Sequence, residues 1–338
     1  MASAFLELLE RGRSRLRPPV LIAGGAPRLV ADLVVSLGLS GTACFQFDLF
    51  QADRLRDELR AVGTDADVLT AADLWDVPTR FGSVLIPSPP RGERELKRDL
   101  VEQAYHIIAD DGRLVVLSPV EKDQFYPALL KKTYGKVALE HSRAGTVLWS
   151  PRHGDKPRRR HEVDYHVRDG ESSLVIVSRP GVFSYGELDE GARALAEAMH
   201  IEPGDRILDL GCGVGAVGII AGRRGGPVTF VDSHLRAVAL AELNAKANGL
   251  TDFTCVAAAN LEGLPTRSFD VVLANPPYYA QHAVARLFVD GAKRVLKPGG
   301  RLYLVTKQAD IVGEIVFEAF GEPKADLRRG YVVFTSTA

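Results

Sequence analysis

The sequence predicts an α/β protein built from two tandem copies of an open, mostly parallel β-sheet flanked by helices. Short apolar runs alternate with helical patterns through both halves of the 338-residue chain, which is typical of βαβ units. The two halves also repeat each other at a nearly constant spacing, and the second contains a glycine loop directly after its first predicted strand. A chain of this length can form two domains.

Six apolar segments of the second half predict the strands of its sheet. They are residues 206–211, 227–232, 253–258, 269–274, 300–306 and 330–337. Helices are predicted between them, for example over residues 234–249, where Gly249 provides the C-terminal stop. Ligands in such sheets bind outside the carboxyl ends of the strands, so polar residues at those ends are candidate ligand contacts.

The first half repeats this plan. An offset of 188 residues separates Phe81 from Phe269, which begin similar apolar runs, and the same offset separates Gly112 from Gly300. Chance similarity between two α/β units is the alternative, but several anchors in one order favour a duplicated domain.

The first copy lacks the polar residues of the second. Ile22 stands where the second copy has Asp209, and we aligned Ser88 with Asn275. The first copy is therefore predicted to be degenerate, and to serve as a scaffold or to dock the substrate.

A polar, basic segment separates the two copies. It begins at residue 151 and is followed by two short apolar stretches around Asp169 and Gly170, which predict a β-hairpin. We therefore assign residues 1–152 to the degenerate domain and residues 153–338 to the active one.

Composition excludes several classes of protein. The net charge is −1, so the chain lacks the overall basic excess of proteins that coat nucleic acid. Three cysteines (Cys44, Cys212 and Cys255) lie too far apart for a disulfide framework or a metal cluster, and the eight histidines show no metal-binding spacing, so we predict no metal. No apolar run approaches the roughly 18 residues of a membrane span, and the N-terminus lacks the order of a signal peptide. We expect a cytoplasmic protein without a membrane partner, for which a monomer is plausible.

The glycine loop of the second half carries an acidic residue. Gly211, Gly213 and Gly215 can take positive φ and let a ligand approach the backbone, but such a loop also occurs in plain tight turns. Asp209 would repel a pyrophosphate and suits an ammonium group, while Asp232, at the end of the next strand, can accept hydrogen bonds from both hydroxyls of a ribose. The pair favours a nucleoside that carries a cationic amino acid over the rival ligand NAD.

Two further polar residues each have two interpretations. Asn260 follows the third strand, and it could bind an adenine edge or form a turn. Asp189 lies in the first turn of a predicted helix, and it could bind the ligand or cap that helix.

The segment Asn-Pro-Pro-Tyr, residues 275–278, ends the fourth strand at the same edge of the sheet. An exocyclic amine on a planar ring is a poor nucleophile because its lone pair is delocalised into the ring. The side-chain oxygen of Asn275 and the carbonyl of Pro276 can accept its two hydrogens and turn the lone pair toward a methyl group, while the prolines keep these acceptors fixed. Tyr278 offers a flat face on which a base can stack. A stiff turn with a packed tyrosine is the alternative.

With these motifs, the second half resembles the class I S-adenosylmethionine-dependent methyltransferases, and NPPY is similar to the motif of amino-group methyltransferases. The whole chain resembles the bacterial ribosomal RNA guanine-N2 methyltransferases, through "RPGVFSYGELDEGARAL", "LDLGCGVG", "ANLEG" and "LANPPYY". The resemblance implies two Rossmann-like class I methyltransferase domains, S-adenosylmethionine as the cofactor without a metal, and ribosomal RNA or a ribosomal subunit as the partner.

The resemblance also implies roles for individual residues. The cofactor would bind at the glycine loop, at the ends of the second and third strands, and at the helix that Asp189 begins, and the target guanine at the NPPY turn. The implied cofactor-binding residues are Asp189, Asp209, Gly211, Cys212, Gly213, Gly215, Asp232, Ser233, Asn260 and Leu261. The implied catalytic residues are Asn275, Pro276, Pro277 and Tyr278.

Other substrates remain open at this point. Enzymes with NPPY also methylate the N5 of a glutamine in release factors and the N6 of adenine, and an inactive RNA-binding module is a further alternative. Local basic clusters can dock RNA or form a solvated surface. These clusters are residues 11–17, 131–136, 156–161 and 327–329.

Overall fold

The structure is a computed structural model that describes residues 2–277 and 282–338, without the side chain of residue 282. The chain divides into two compact units, of which unit 1 ends at His161 and unit 2 begins at Glu162. The linker segment that follows residue 152 belongs to unit 1 because it is bonded there: His161 Nε2 lies 2.8 Å from Glu102 Oε2. We predicted the boundary from composition, which does not report such contacts.

Unit 1 alternates helices and strands from its start. The elements are α1 (Ala2–Gly12), β1 (Val20–Ala23), α2 (Pro27–Leu37), β2 (Ala43–Gln46), α3 (Leu49–Ala61), β3 (Asp67–Thr70), β4 (Phe81–Pro87), α4 (Arg94–Ala104), β5 (Ile108–Ser118), α5 (Phe125–Tyr134), β6 (Ala138–Ser142) and β7 (Gly145–Pro151). The sheet has the order β3-β2-β1-β4-β5-β7-β6. Strand β7 is antiparallel to both of its neighbours, and the other pairs are parallel.

Unit 2 begins with a hairpin and then repeats the same order. The elements are β8 (Val163–Asp169), β9 (Ser172–Ser178), α6 (Glu190–Ala198), β10 (Ile207–Leu210), α7 (Ala216–Arg224), β11 (Val228–Asp232), α8 (Leu235–Ala247), β12 (Phe253–Ala257), β13 (Phe269–Ala274), α9 (His282–Val295), β14 (Leu296–Thr306), α10 (Ala309–Phe320), β15 (Lys324–Arg328) and β16 (Tyr331–Thr337). The main sheet has the order β12-β11-β10-β13-β14-β16-β15, and β8 and β9 form the predicted hairpin. The predicted fold class is confirmed.

The two sheets also share their strand register. Val84 pairs with Leu114 in unit 1, and Val272 pairs with Leu302 in unit 2, so both pairs differ by the offset of 188 seen in the sequence. This register corrects one alignment. Pro87, rather than Ser88, occupies the position of Asn275, because β4 continues its pairing through Pro87.

The central strands are largely apolar because helices cover both faces of each sheet, although β10 contains Asp209. In β13, Val271 and Leu273 enter one core cluster of unit 2, while Val272 and Ala274 enter the cluster on the opposite face. The strand is thereby fixed in rotation, and Asn275 emerges at its carboxyl end.

The sequence missed strand β15. Its residues are largely charged, and Leu327 is 75% exposed, so the segment shows no apolar run. It lies at the edge of the sheet, where charged side chains are common. The predicted helix over 234–249 spans Leu235–Ala247, and Gly249 follows it with a φ of +81°.

Two findings concern the described residues as a set. None of their helices combines the length and the apolar character needed to cross a bilayer. Within residues 2–277 and 282–338, no group of three or more His, Cys, Asp or Glu side chains could hold a metal ion.

Candidate active site

The glycine loop between β10 and α7 presents backbone at the edge of the sheet. Gly211, Gly213 and Gly215 have φ values of +70°, +54° and +84°, which disfavour other residues. Among the described residues other than its two chain neighbours, none has an atom within 4 Å of the position that a Cβ on Gly213 would take, whereas a Cβ on Gly215 would lie 3.1 Å from the Cα of Ala241. The loop is therefore open at Gly213, where a ligand can approach, and closed against α8 at Gly215.

This difference leads to a prediction about stability. Gly215→Ala should lower the free energy of unfolding by more than Gly249→Ala does. Both changes place a side chain at positive φ, which costs about 1–2 kcal/mol, but only the first also meets backbone atoms, since the space around Gly249 is open. Denaturant unfolding of the two variants gives the comparison, and equal losses would contradict the close packing of the loop.

Asp209, in β10, is 4% exposed and serves the start of α7. Its Oδ2 accepts a hydrogen bond from the backbone N–H of Gly218 at 2.9 Å. Burial, together with the nearby charge of Asp232, raises the pKa of Asp209 to about 7, although the Gly218 bond opposes this rise. A bound ammonium group would stabilise the charged carboxylate and so lower the pKa of Asp209.

Asp232 fixes the glycine loop to the end of β11. Its Oδ2 accepts from the N–H of Gly213 and its Oδ1 accepts from the N–H of His234, both at 2.8 Å. The half-buried carboxylate is thus held in one orientation beside the open part of the loop, and Ser233 follows it at the same edge. The sequence predicted Asp232 only as a ligand, because its role in ordering the loop depends on hydrogen bonds that only the structure shows.

The two residues predicted to bind the cofactor in the loop after β12 lie in different environments. Asn260 is exposed, and its Oδ1 accepts from the N–H of Glu262 at 3.0 Å, which is the turn role that the sequence left open. Leu261 is 5% exposed and packs in the core, so only its backbone could meet a ligand. The Arg294 side chain holds this loop by donating to the Leu261 carbonyl.

The structure brings Asp189 to Asn275. The Nδ2 of Asn275 donates to Asp189 Oδ2 at 3.2 Å, and the same oxygen accepts from the N–H of Ala192 at 3.1 Å as the N-cap of α6. The hydroxyl of Tyr331 lies 3.4 Å from the other carboxylate oxygen. Since the amide donates to Asp189, its Oδ1 is the oxygen that remains to accept from a substrate amine.

Of the remaining residues of the NPPY turn, Pro276 and Pro277 belong to the described part of the chain. Pro276 is buried and Pro277 is half-buried, as expected for a rigid turn. Tyr278 lies outside the described residues, so its predicted stacking role stays a prediction.

Known proteins resemble this chain over most of its length. Ribosomal RNA small subunit methyltransferase C of Pseudomonas aeruginosa is 31% identical over 323 residues, which covers 88% of each chain. The chain belongs to this methyltransferase family. Residues 173–335 match the model of the methyltransferase small domain. Ribosomal RNA large subunit methyltransferase G of Streptomyces avermitilis is 29% identical over 273 residues, 74% of this chain and 69% of that protein.

A solved structure has the same two-unit fold. The 16S rRNA N2 G1207 methyltransferase of T. thermophilus, in complex with AdoMet and guanosine, matches 98% of this chain and 91% of its own with a TM-score of 0.76. Its sequence identity of 22% supports the fold alone. The predicted enzyme class, methyltransferase, is confirmed by the family.

Only one of the two methyltransferase-like units carries acidic side chains at these positions. By strand register, Ile22 is the counterpart of Asp209, and Gln46 is the counterpart of Asp232. The Nε2 of Gln46 donates to the carbonyl of Gly25 at 3.0 Å, so a neutral donor replaces the carboxylate that accepts from the loop in unit 2. Unit 1 keeps the architecture of the family without these two carboxylates.

The raised pKa of Asp209 predicts a pH dependence of stability. The folded protein keeps this proton up to about pH 7, whereas the unfolded carboxyl loses it near pH 4. The free energy of unfolding of the ligand-free protein should therefore fall as pH rises between these values, by up to ~1.4 kcal/mol per pH unit from this group. Asp209→Asn should remove that component. Denaturant unfolding of both proteins across this range measures the difference, and identical pH profiles would refute the raised pKa.

Proposed function

We propose that unit 2 transfers the methyl group of S-adenosylmethionine to the N2 amino group of guanine in ribosomal RNA. The observation that carries this proposal is the amide of Asn275, oriented by Asp189 at the carboxyl end of β13. It lies in the same sheet, and at the same strand ends, as the glycine loop with Asp209 and Asp232. A fixed hydrogen-bond acceptor beside a loop that can bind a nucleoside suits methyl transfer to an amine.

The residues of unit 2 fit S-adenosylmethionine. Asp232 has a fixed carboxylate for the ribose hydroxyls, the open backbone at Gly213 admits the ligand, and the buried carboxylate of Asp209 suits the ammonium group. The sulfonium of the cofactor makes its methyl group electrophilic. A dinucleotide fits less well, because Asp209 would lie near its pyrophosphate.

The acceptor side follows from the geometry of the turn. Asn275 Oδ1 and the Pro276 carbonyl accept the two hydrogens of the exocyclic amine, which reduces the conjugation of the nitrogen lone pair with the ring and directs it toward the methyl group. Asp189 positions Asn275 by holding its Nδ2, and the prolines limit movement of the turn. The amine would attack the methyl carbon in its neutral form while the bond from that carbon to the sulfonium sulfur breaks, leaving a neutral thioether. It would then lose a proton to water, so the attack needs no general base.

Ribosomal RNA as the substrate is supported by the names of the family members and by basic surface on unit 1. The clusters 131–136 and 156–161 adjoin, since Lys156 donates to the Thr133 carbonyl. Cluster 327–329 is a weaker candidate, because Arg329 is paired with Glu190 and Glu197. Such a substrate also places the enzyme in the cytoplasm.

The experiment that tests this function is incubation with labelled S-adenosylmethionine and three substrates: deproteinised rRNA, intact ribosomal subunits, and release factor. We expect label in RNA, supplied either free or within a subunit. Label in protein alone would contradict the proposal and would favour transfer to a glutamine amide.

A further inference from the structure

Unit 1 contains a cavity of about 490 Å³ at the carboxyl ends of β4 and β5. Pro89 and Pro90, which follow β4, form one wall, and Ser118, the last residue of β5, forms part of another. Strands β4 and β5 correspond in order and register to β13 and β14. The cavity therefore lies beside the turn of unit 1 that corresponds to the NPPY turn of unit 2.

An aromatic ring and two cations line this cavity. The guanidinium of Arg94 lies 4.9 Å from the centre of the half-buried Phe125 ring, and Lys97 Nζ donates to the Pro89 carbonyl at 2.7 Å. The proline turn of unit 1 lacks an aromatic residue of its own, but Phe125, the first residue of α5, brings a ring to the same place. Phe125 lies outside the turn in sequence, so the sequence of the turn alone does not predict this ring.

The polar groups inside the cavity are already paired, so its shape is preformed. Asp123 is buried, and its carboxylate accepts from the N–H of Phe125 and the hydroxyl of Ser118, at 2.8 and 2.6 Å. The hydroxyl of Tyr126 donates to Ser88 at 2.6 Å. Asp123 keeps its negative charge but is buried, whereas Arg94 is exposed and Lys97 is half-buried, so a ligand meets these two cations first.

We propose that this cavity binds one unstacked nucleotide of the RNA substrate, with its base on Phe125 and its phosphate at Arg94 and Lys97. This inference rests on the proposed function, since it takes RNA to be the substrate. Single-stranded nucleotides bind where bases stack on aromatic rings and guanidinium planes while cations contact the backbone. The volume suits a ligand of this size. An acidic peptide could use the cations, but it would not require the ring.

Steady-state kinetics of the full chain test this proposal. Phe125→Ala and Arg94→Ala should each raise the KM for rRNA about 10-fold, because stacking and the phosphate contact are lost, and should leave kcat and the affinity for S-adenosylmethionine unchanged. Phe125→Trp should restore the KM, since it keeps a stacking surface. Phe320→Ala is the matched control, because it removes a ring that pairs with Lys293 in unit 2, and it should not change the KM.

Photocrosslinking gives a readout that does not depend on methyl transfer. Full-length protein crosslinked to rRNA that contains 4-thiouridine should carry nucleotide on the peptide around Phe125, and Arg94→Ala should reduce this yield. If the wild type methylates rRNA but neither variant changes the KM and no crosslink maps to that peptide, the cavity does not bind RNA while the proposed function stands. If an acidic peptide reduces the crosslink yield on the peptide around Phe125 but unlabelled RNA does not, the proposal is wrong. A crosslink at Phe125 without methyl transfer would instead contradict the proposed function alone.

Discussion

Asn275→Ala is expected to lower kcat for methyl transfer by about 10²- to 10³-fold and to leave the affinity for S-adenosylmethionine within about twofold. This range is typical for loss of one fixed hydrogen-bonding group that acts in the transition state. The amide oxygen has no replacement in alanine, so the exocyclic amine would keep its lone pair delocalised into the ring. Single-turnover rates with labelled cofactor, together with calorimetric binding, separate the two effects.

The matched control for this variant is Asn248→Ala, in the same unit. The Asn248 side chain also makes backbone hydrogen bonds, to Val175, but it lies at the end of α8 and outside the proposed site. We expect it to lose some stability and to retain its transfer rate. A rate for Asn275→Ala within tenfold of the wild type would show that the amide does not orient the nucleophile.

Asp232→Ala is expected to weaken binding of S-adenosylmethionine about 100-fold or more. The carboxylate is proposed to accept from both ribose hydroxyls, and hydrogen bonds to a charged group each contribute about 1.5–3 kcal/mol. The change also removes the bond to Gly213, so the glycine loop loses its attachment to β11. Isothermal titration calorimetry measures the affinity.

Gln46→Ala is the matched control in unit 1. It removes the corresponding link to the glycine loop in unit 1, where no cofactor is proposed to bind. Its affinity for S-adenosylmethionine should equal that of the wild type. If Asp232→Ala changed the affinity less than threefold, or if Gln46→Ala weakened it equally, the assignment of the cofactor to unit 2 would be wrong.

Much of the fold could be predicted because it follows from local patterns. Buried parallel strands appear as continuous apolar runs, and a duplicated domain repeats its anchors, so the offset between Gly112 and Gly300 reappears as strand register. Strand β15 could not be predicted, since an edge strand needs no apolar residues. The boundary of unit 1 depends on side-chain contacts of the linker, which composition does not contain.

The site was predicted as a set of positions but not as a set of contacts. Asp189 and Asn275 are distant in sequence, and no motif links them, so the orientation of the amide required the structure. The turn role of Asn260 depends on one local bond that the sequence allowed but did not select. Gln46 could be recognised as the counterpart of Asp232 only from the register of β1 and β2.

The central claim is that unit 2 methylates guanine N2 in ribosomal RNA through Asn275. Mass spectrometry of nucleosides from rRNA, after incubation with the enzyme and isotopically labelled S-adenosylmethionine, tests it most directly. The structure predicts labelled N2-methylguanosine with the wild type and almost none with Asn275→Ala. Label in N6-methyladenosine, or labelled N2-methylguanosine at equal yield from Asn275→Ala, would contradict it.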